Sequence, residues 1–338
     1  MLGEKQKNEF FHFNKGASME GNQGLHTISK EIKDLEKRFK QEIEPYRSLL
    51  WKYCYRLTGS PWDAEDLVQD TLLKSLAMLS KVFQELNVKS YLFKIATNTW
   101  IDQQRRNRIA YTDSYLVELL ESGSEKELKI LPALDYLARQ LSLKQFVCLL
   151  LTDVFLFTAK EAADIVSLSP GAVYANVQRA RDVLKNIPER EQIHRLQEGI
   201  AISASHDKTI STLLEGFRRK DMAMIASLLD ENLLTDITHA GVEFGKRETE
   251  RNSLKDWAEV VSRQEGAEAA ITTLWGRQVI LEFALKSGEK LLQNIHFMEL
   301  ENDKIVYWKF YCFSWDLMNA AAKELDVNLG AEYFYHIF

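Results

Sequence analysis

The chain has 338 residues, 46% of them apolar and 27% charged, with a net charge of −6 at pH 7. Only 15 glycines and 5 prolines exclude a collagen-like or low-complexity chain, and the length predicts two or three domains, each burying its own core. The longest apolar run, Phe146 to Phe157, carries Asp153 and is shorter than the roughly 20 residues of a membrane-crossing helix, while Cys54, Cys148 and Cys312 lie too far apart to suggest a disulfide framework or a zinc site.

The first 28 residues mix charges, aromatics and glycines without the apolar segment of a secretory signal, so residues 1–28 are expected to form a mobile tail and the chain to be soluble and cytoplasmic. The net charge conceals unlike segments. Residues 45–110 hold 10 Lys and Arg against 6 Asp and Glu, whereas residues 191–338 hold 16 against 24. A basic block therefore precedes an acidic one, with a boundary near Pro188.

Residues 29–110 have helical spacing almost throughout, broken at Gly59-Ser60-Pro61 and near Glu85 to Lys89. Leu49, Leu50, Tyr53, Cys54 and Leu57 form one apolar stripe, and Val68, Leu72, Leu76 and Leu79 another. Between them, Asp63, Glu65, Asp66 and Asp70 open a helix, where carboxylates complement the helix dipole or form a docking face for a basic partner. The row has no His or Cys to favour a metal, and no cofactor is expected. In the helix from Tyr91 to Asn107, Leu92, Ile95, Ala96 and Thr99 should face inward. Tyr91, Lys94, Asn98, Asp102 and Arg105 share the opposite face. Such a row is either an ordinary solvated face or a nucleic-acid surface combining a stacking ring, cations and amides.

Together, Asp63 to Leu76 and Tyr91 to Asn107, in this order and spacing, resemble region 2 of the bacterial sigma-70-type initiation factors, particularly the extracytoplasmic-function group, over Ile43 to Arg108. The resemblance implies that Asp63, Asp66, Gln69 and Asp70 contact core RNA polymerase. It also implies that Lys94, Asn98, Trp100, Asp102, Arg105 and Arg106 lie at or near promoter DNA, with Tyr91 supplying an aromatic where the family often has tryptophan.

Residues 111–132 are polar and acidic, as a solvated linker would be; in the resembled family this linker threads the channels of the polymerase. Residues 133–190 read as further helices: LDYLARQL, LKQFVCLLLTDVFLF, TAKEAADIV and PGAVYANVQRARDVLKNI. Thr158 with Glu161 forms a capping box, and Ser169 caps a helix that begins at Pro170. The last two helices make a helix-turn-helix whose second member has Val173, Val177, Ala180 and Leu184 inward. Gly171, Ala175 and Gln178 then face outward, flanked by Ala172, Tyr174, Arg179 and Arg181. The segment resembles sigma region 4, which reads the minus-35 element, with Tyr174 and Asn176 standing where relatives frequently carry basic residues.

Residues 191–338 predict a helix pair over Ile210 to Leu229, followed by strands at LLTDITH, TTLWGRQVILEFAL, LLQNIHFMEL and KIVYWKFYCFSW. This order resembles a SnoaL-like domain of the nuclear-transport-factor-like superfamily. The expected fold is thus multidomain, with two all-α domains followed by an α+β cone. Such cones can hold a ligand, for which Asp236, His239, Trp275, His296 and Trp308 are the candidates.

The function these features imply is that of a sigma factor, not an enzyme, that binds core RNA polymerase and promoter DNA, with a small-molecule or protein regulator acting on the C-terminal domain and no membrane partner. Two alternatives share the features: a stand-alone ligand-responsive repressor, and a cyclase or isomerase in the C-terminal cone.

Overall fold

A computed structural model describes residues 37–39, 41–79, 87–110, 140–185 and 207–330. The expected tail at 1–28, the acidic linker at 111–132, most of LDYLARQL and the boundary near Pro188 lie outside the described residues.

The first unit has helices α1 (Arg47–Thr58), α2 (Pro61–Leu79) and α3 (Val88–Ala110). Gly59 ends α1 in the left-handed conformation, φ 73°, from which its N–H reaches the Tyr55 carbonyl at 2.9 Å. Leu50, Tyr53, Cys54 and Leu57 of α1 meet Val68, Leu72 and Leu76 of α2 and Leu92, Phe93 and Ala96 of α3, all buried. A polar chain inside is satisfied: the Tyr53 and Thr97 hydroxyls are 2.7 Å apart, and Thr97 donates to the Phe93 carbonyl.

The second unit has α4 (Leu143–Leu149), which continues into a π-helical turn at Leu150–Val154, then α5 (Ala159–Val166) and α6 (Pro170–Lys185). The apolar run that the sequence suggests as one helix therefore breaks near Phe155, and Leu156 adopts a positive φ of 56°. The break turns Phe155 and Phe157 toward the first unit. Both ring pairs with Phe93, at 5.6 and 4.9 Å, result, together with Tyr53–Phe155 at 5.1 Å and Trp100–Phe146 at 5.9 Å. The two helical units thus share one apolar cluster, which explains why α3 buries Phe93, Thr97 and Trp100 beyond its expected stripe.

Thr158 and Glu161 form the expected capping box, with Thr158 N–H donating to Glu161 Oε2 at 2.9 Å and Glu161 N–H donating to Thr158 Oγ1 at 3.3 Å. Thr158→Ala is expected to cost about 1 kcal/mol, read as a lowered urea midpoint with an unchanged m-value.

The C-terminal unit contains α7 (Asp207–Arg219), α8 (Met222–Ala226), β1 (Leu229–Ile237), β2 (Gly241–Phe244), α9 (Lys246–Arg251), α10 (Ser253–Ser262), β3 (Gly266–Leu274), β4 (Arg277–Lys286), β5 (Glu289–Glu301), β6 (Lys304–Phe310), α11 (Trp315–Glu324) and the short β7 (Asn328–Leu329). Strand order is β2-β1-β6-β5-β4-β3, with β7 on β5; β1 and β6 run parallel. Three two-residue hairpins, Trp275-Gly276, Ser287-Gly288 and Asn302-Asp303, have positive φ at both residues, the type I′ signature that matches strand twist. The segment TTLWGRQVILEFAL, which reads as one strand, is two strands joined at the first of these turns. Helices α9 to α11 are additional to the sequence reading; the spacing of Leu254, Trp257 and Val261 on α10 is the signal that carried one of them.

The sheet has two covered faces. Its inner face, with Ile280, Trp308 and Phe310, packs on Leu213, Phe217, Ile225, Leu254 and Trp257 of its own helices. Its outer face, with Val279, Leu281, Phe283, Leu292 and Ile295, joins Leu317, Met318 and Ala321 of α11 in the same cluster as the two helical units.

Candidate functional site

Helix α2 has an apolar face toward α1 and α3 and an acidic face toward the C-terminal unit. Asp63 and Asp70 are exposed, and Asp66 and Gln69 are half-buried. Lys309 of β6 donates to Asp66 Oδ1 at 2.7 Å and lies 3.3 Å from Asp236. Burial opposes the Lys309 charge, but Tyr311, Asp66 and Asp236 together hold its ammonium above the ordinary lysine range. The charge of Arg277 acts on Asp63, and its guanidinium lies 5.2 Å from the Trp62 ring centroid. Trp62 itself, at the start of α2, is 1% exposed. Its ring meets Trp275 at 5.3 Å and Tyr311 at 5.2 Å, and its indole N–H donates to the Trp275 carbonyl at 3.3 Å.

Beside this lies a buried polar knot. Glu65, fully buried, accepts from Trp51 Nε1 at 2.8 Å and from His239 Nε2, and Arg47 stands 3.8 Å away. Burial works against the Glu65 charge; the hydrogen bond from His239 and the Arg47 guanidinium outweigh it and keep the carboxyl below its ordinary value. Burial also lowers His239, so the ring is neutral and donates its Nε2 proton. Arg47 reaches onward to the Phe313 carbonyl and Asp316, and Ser48 donates to Asp316 at 2.7 Å.

The promoter candidates on α3 divide in two. Asn98, Asp102, Arg105 and Arg106 are exposed, and Tyr91 and Lys94 are half-buried. Trp100, which the resemblance puts at or near promoter DNA, is 3% exposed and packed on Phe146 of the second helical unit. On α6, Gly171, Tyr174, Gln178, Arg179 and Arg181 are exposed, Ala172 and Ala175 are half-buried, and Val173, Val177 and Ala180 are inward. Ser167 makes the turn at φ 54°, and the Ala172 N–H donates to Ser169 Oγ at 3.2 Å. Arg181 is drawn back into a bidentate pair with Asp153, at 2.9 to 3.1 Å.

The five residues read as a ligand pocket do not come together. His296 and Trp308 lie in the inner core, both 0% exposed. Trp308 Nε1 donates to His296 Nδ1 at 3.2 Å, which leaves His296 Nε2 to donate to Glu282 at 3.1 Å, while Trp257 Nε1 donates to the other Glu282 oxygen at 2.7 Å. Both ring nitrogens are therefore engaged. Asp236 pairs in register with Lys309, on the opposite face of the sheet from His296, whose register partner is Phe310. His239 and Trp275 occupy turns facing α1 and α2, as described above. Asp236 and His296 are candidates for acid and base by residue type, but strand alternation separates them by the thickness of the sheet.

Residues 43–109 match the Sigma-70 region 2 family and residues 131–184 match Sigma-70, region 4. The ECF RNA polymerase sigma factor EcfG of Rhodopseudomonas palustris is 30% identical over 139 residues, which span 39% of this chain and 75% of EcfG. The chain belongs to the ECF RNA polymerase sigma factors. Among other sigma factors of this group, SigG of Mycobacterium tuberculosis is 33% identical over 178 residues, 44% of this chain and 48% of SigG, so the chain spans about half the length of that relative. SigJ of M. tuberculosis is 25% identical over 232 residues, 65% of this chain and 70% of SigJ. The SigJ crystal structure aligns over 80% of this chain and 95% of its own at 18% identity, with a TM-score of 0.33. In this sigma factor, no helix among the described residues is long and apolar enough to cross a membrane.

Proposed function

We propose that this chain is a cytoplasmic, non-enzymatic sigma subunit that binds core RNA polymerase through Asp63, Asp66, Gln69 and Asp70 of α2. It then reads the minus-10 element with α3 and the minus-35 element with α6, under regulation by the C-terminal domain. The observation that carries the reading is the pairing of two DNA-competent surfaces in one chain of this family: the exposed Asn98, Asp102, Arg105 and Arg106 on α3, and the exposed Tyr174, Gln178 and Arg179 on a capped second helix of a helix-turn-helix.

Elements centred about 25 base pairs apart lie about 85 Å apart along the duplex, at about 3.4 Å per step. Helices that share one apolar cluster cannot span that distance. The two units must therefore separate on the polymerase, releasing Trp100 from Phe146 to face DNA. Purified chain is expected to convert core polymerase into a promoter-specific enzyme in run-off transcription, and absence of a specific transcript from any genomic template overturns the reading. Arg105→Ala with Arg106→Ala is expected to slow promoter opening about tenfold or more while core affinity stays within twofold. Equal loss of core binding would show that the arginines have another role. His296, locked by Trp308 and Glu282 in a core without solvent exposure, weighs against an enzymatic cone.

A further inference from the structure

We infer that α6 reads thymine methyl groups in the minus-35 element, with the ring of Tyr174 as the specificity-determining contact. The inference rests on the assignment of α6 to that element. A recognition helix enters the major groove with its N-terminal residues, and the base it selects follows from the side chains there: Arg or Lys for guanine, Asn or Gln for adenine, apolar groups for the thymine methyl. From Pro170 to Gln178 the helix carries no charge, and its first cation is Arg179. Arg181 is tied to Asp153 within the same unit. Both amides are spent along the helix, Asn176 donating to the Ala172 carbonyl at 2.8 Å and Gln178 to Asp182 Oδ1 at 2.9 Å. What stays exposed ahead of them is Pro170, Gly171 and Tyr174, edged by the half-buried methyls of Ala172 and Ala175.

The fold fixes where that ring points. Val173, Val177 and Ala180 are buried and Ser169 caps the helix, so α6 is fixed in rotation about its axis and Tyr174 stays outward, 68% exposed. A long side chain on a helix leans toward the N-terminus, over the residues three and four positions before it. For Tyr174 these are Gly171 and Pro170. A Cβ at Gly171 would meet nothing within 4 Å, so no packing demands a glycine there. The missing side chain leaves the Tyr174 ring clear at the end of the helix that enters the groove. An aromatic carbon face offers no donor–acceptor pair to a purine edge. The thymine methyl, which projects into the major groove, gains from burial against it.

The test uses the intact chain assembled with core polymerase. Duplexes randomised across the minus-35 element, upstream of a fixed segment from a template that the holoenzyme transcribes, are enriched by binding, and thymine is expected at one position or more. Replacing each selected thymine in turn by deoxyuridine removes only the methyl group. At one of these positions or more, binding is expected to weaken about fourfold, the value of burying one methyl group. In Tyr174→Ala the same replacement should change nothing, whereas Tyr174→Phe, which keeps the ring, should keep the loss. The wild-type measurement stands whether or not a variant folds. Equal affinity for thymine and deoxyuridine at every selected position overturns the inference, as does an equal loss in wild type and Tyr174→Ala. A Tyr174→Phe chain that behaves as Tyr174→Ala assigns the contact to the hydroxyl and also overturns it. Enrichment with no sequence preference in the randomised element overturns the assignment of α6 to the minus-35 element itself.

Discussion

Trp62→Ala is expected to lower the unfolding free energy of the intact chain by about 3–5 kcal/mol, the range for removing a fully buried large aromatic. The side chain is 1% exposed and touches two aromatic rings and a guanidinium, all from the C-terminal domain, so the cavity opens at the joint between domains. Trp62→Phe keeps a ring there but loses the indole donation to the Trp275 carbonyl, at 3.3 Å, a loss of about 0.5–1.5 kcal/mol beyond the packing change. Urea unfolding followed by far-ultraviolet circular dichroism measures both. A Trp62→Ala chain as stable as wild type would mean that α2 and the sheet do not pack as described. The same argument predicts that deleting residues 191–338 does more than remove a regulator, because it uncovers Trp62 and the outer-face cluster. Point substitutions at the joint are the cleaner probe of regulation.

The helical units were legible because their signals are local. The capping box at Thr158 and Glu161, the Ser169 cap and the inward stripe of Val173, Val177 and Ala180 all act within a turn or two of helix, and each stands where spacing placed it. The type I′ turns at Ser287-Gly288 and Asn302-Asp303 carry their chemistry in adjacent residues, whereas Trp275-Gly276 hides its turn behind a bulky aromatic that rarely takes positive φ. Long-range packing was not legible. No spacing rule shows that Trp100 would be covered by Phe146, that Asp153 in an apolar run would pair with Arg181, or that Lys309 would reach back to Asp66 across 243 residues. The ligand-pocket candidates failed for the same reason: Asp236 and His296 were grouped by residue type, while strand parity put them on opposite faces.

Glu65→Ala is expected to destabilise the intact chain by about 3–5 kcal/mol, the cost of removing one partner from a buried charged pair. Glu65 is fully buried and Arg47 is 4% exposed. Without the carboxylate, Arg47 loses its nearest buried counter-charge, with Asp316 at 3.8 Å and the Phe313 carbonyl at 3.4 Å still within reach, and the Trp51 indole N–H loses its acceptor. Glu65→Gln retains an acceptor but no charge and should cost less, so the difference between the two variants separates the hydrogen bonds from the charge. The pH dependence follows in sign. Both groups have folded-state values below their ordinary ones, 6.5 for His239 and 4.5 for Glu65. A depressed value means that the unfolded chain binds the proton first, so stability is fully present above the ordinary value and is lost as pH falls through the folded one. The His239 contribution therefore begins to fade as pH drops below about 6.5, with Glu65, Arg47 and Lys309 as the charges facing the ring, and the Glu65 contribution fades only below about 4.5. Urea midpoints measured from pH 7.5 to pH 5 should decline in the wild type and decline less in His239→Gln, which cannot take up the proton. An equal slope in both proteins would show that the ring does not donate to Glu65 at this joint.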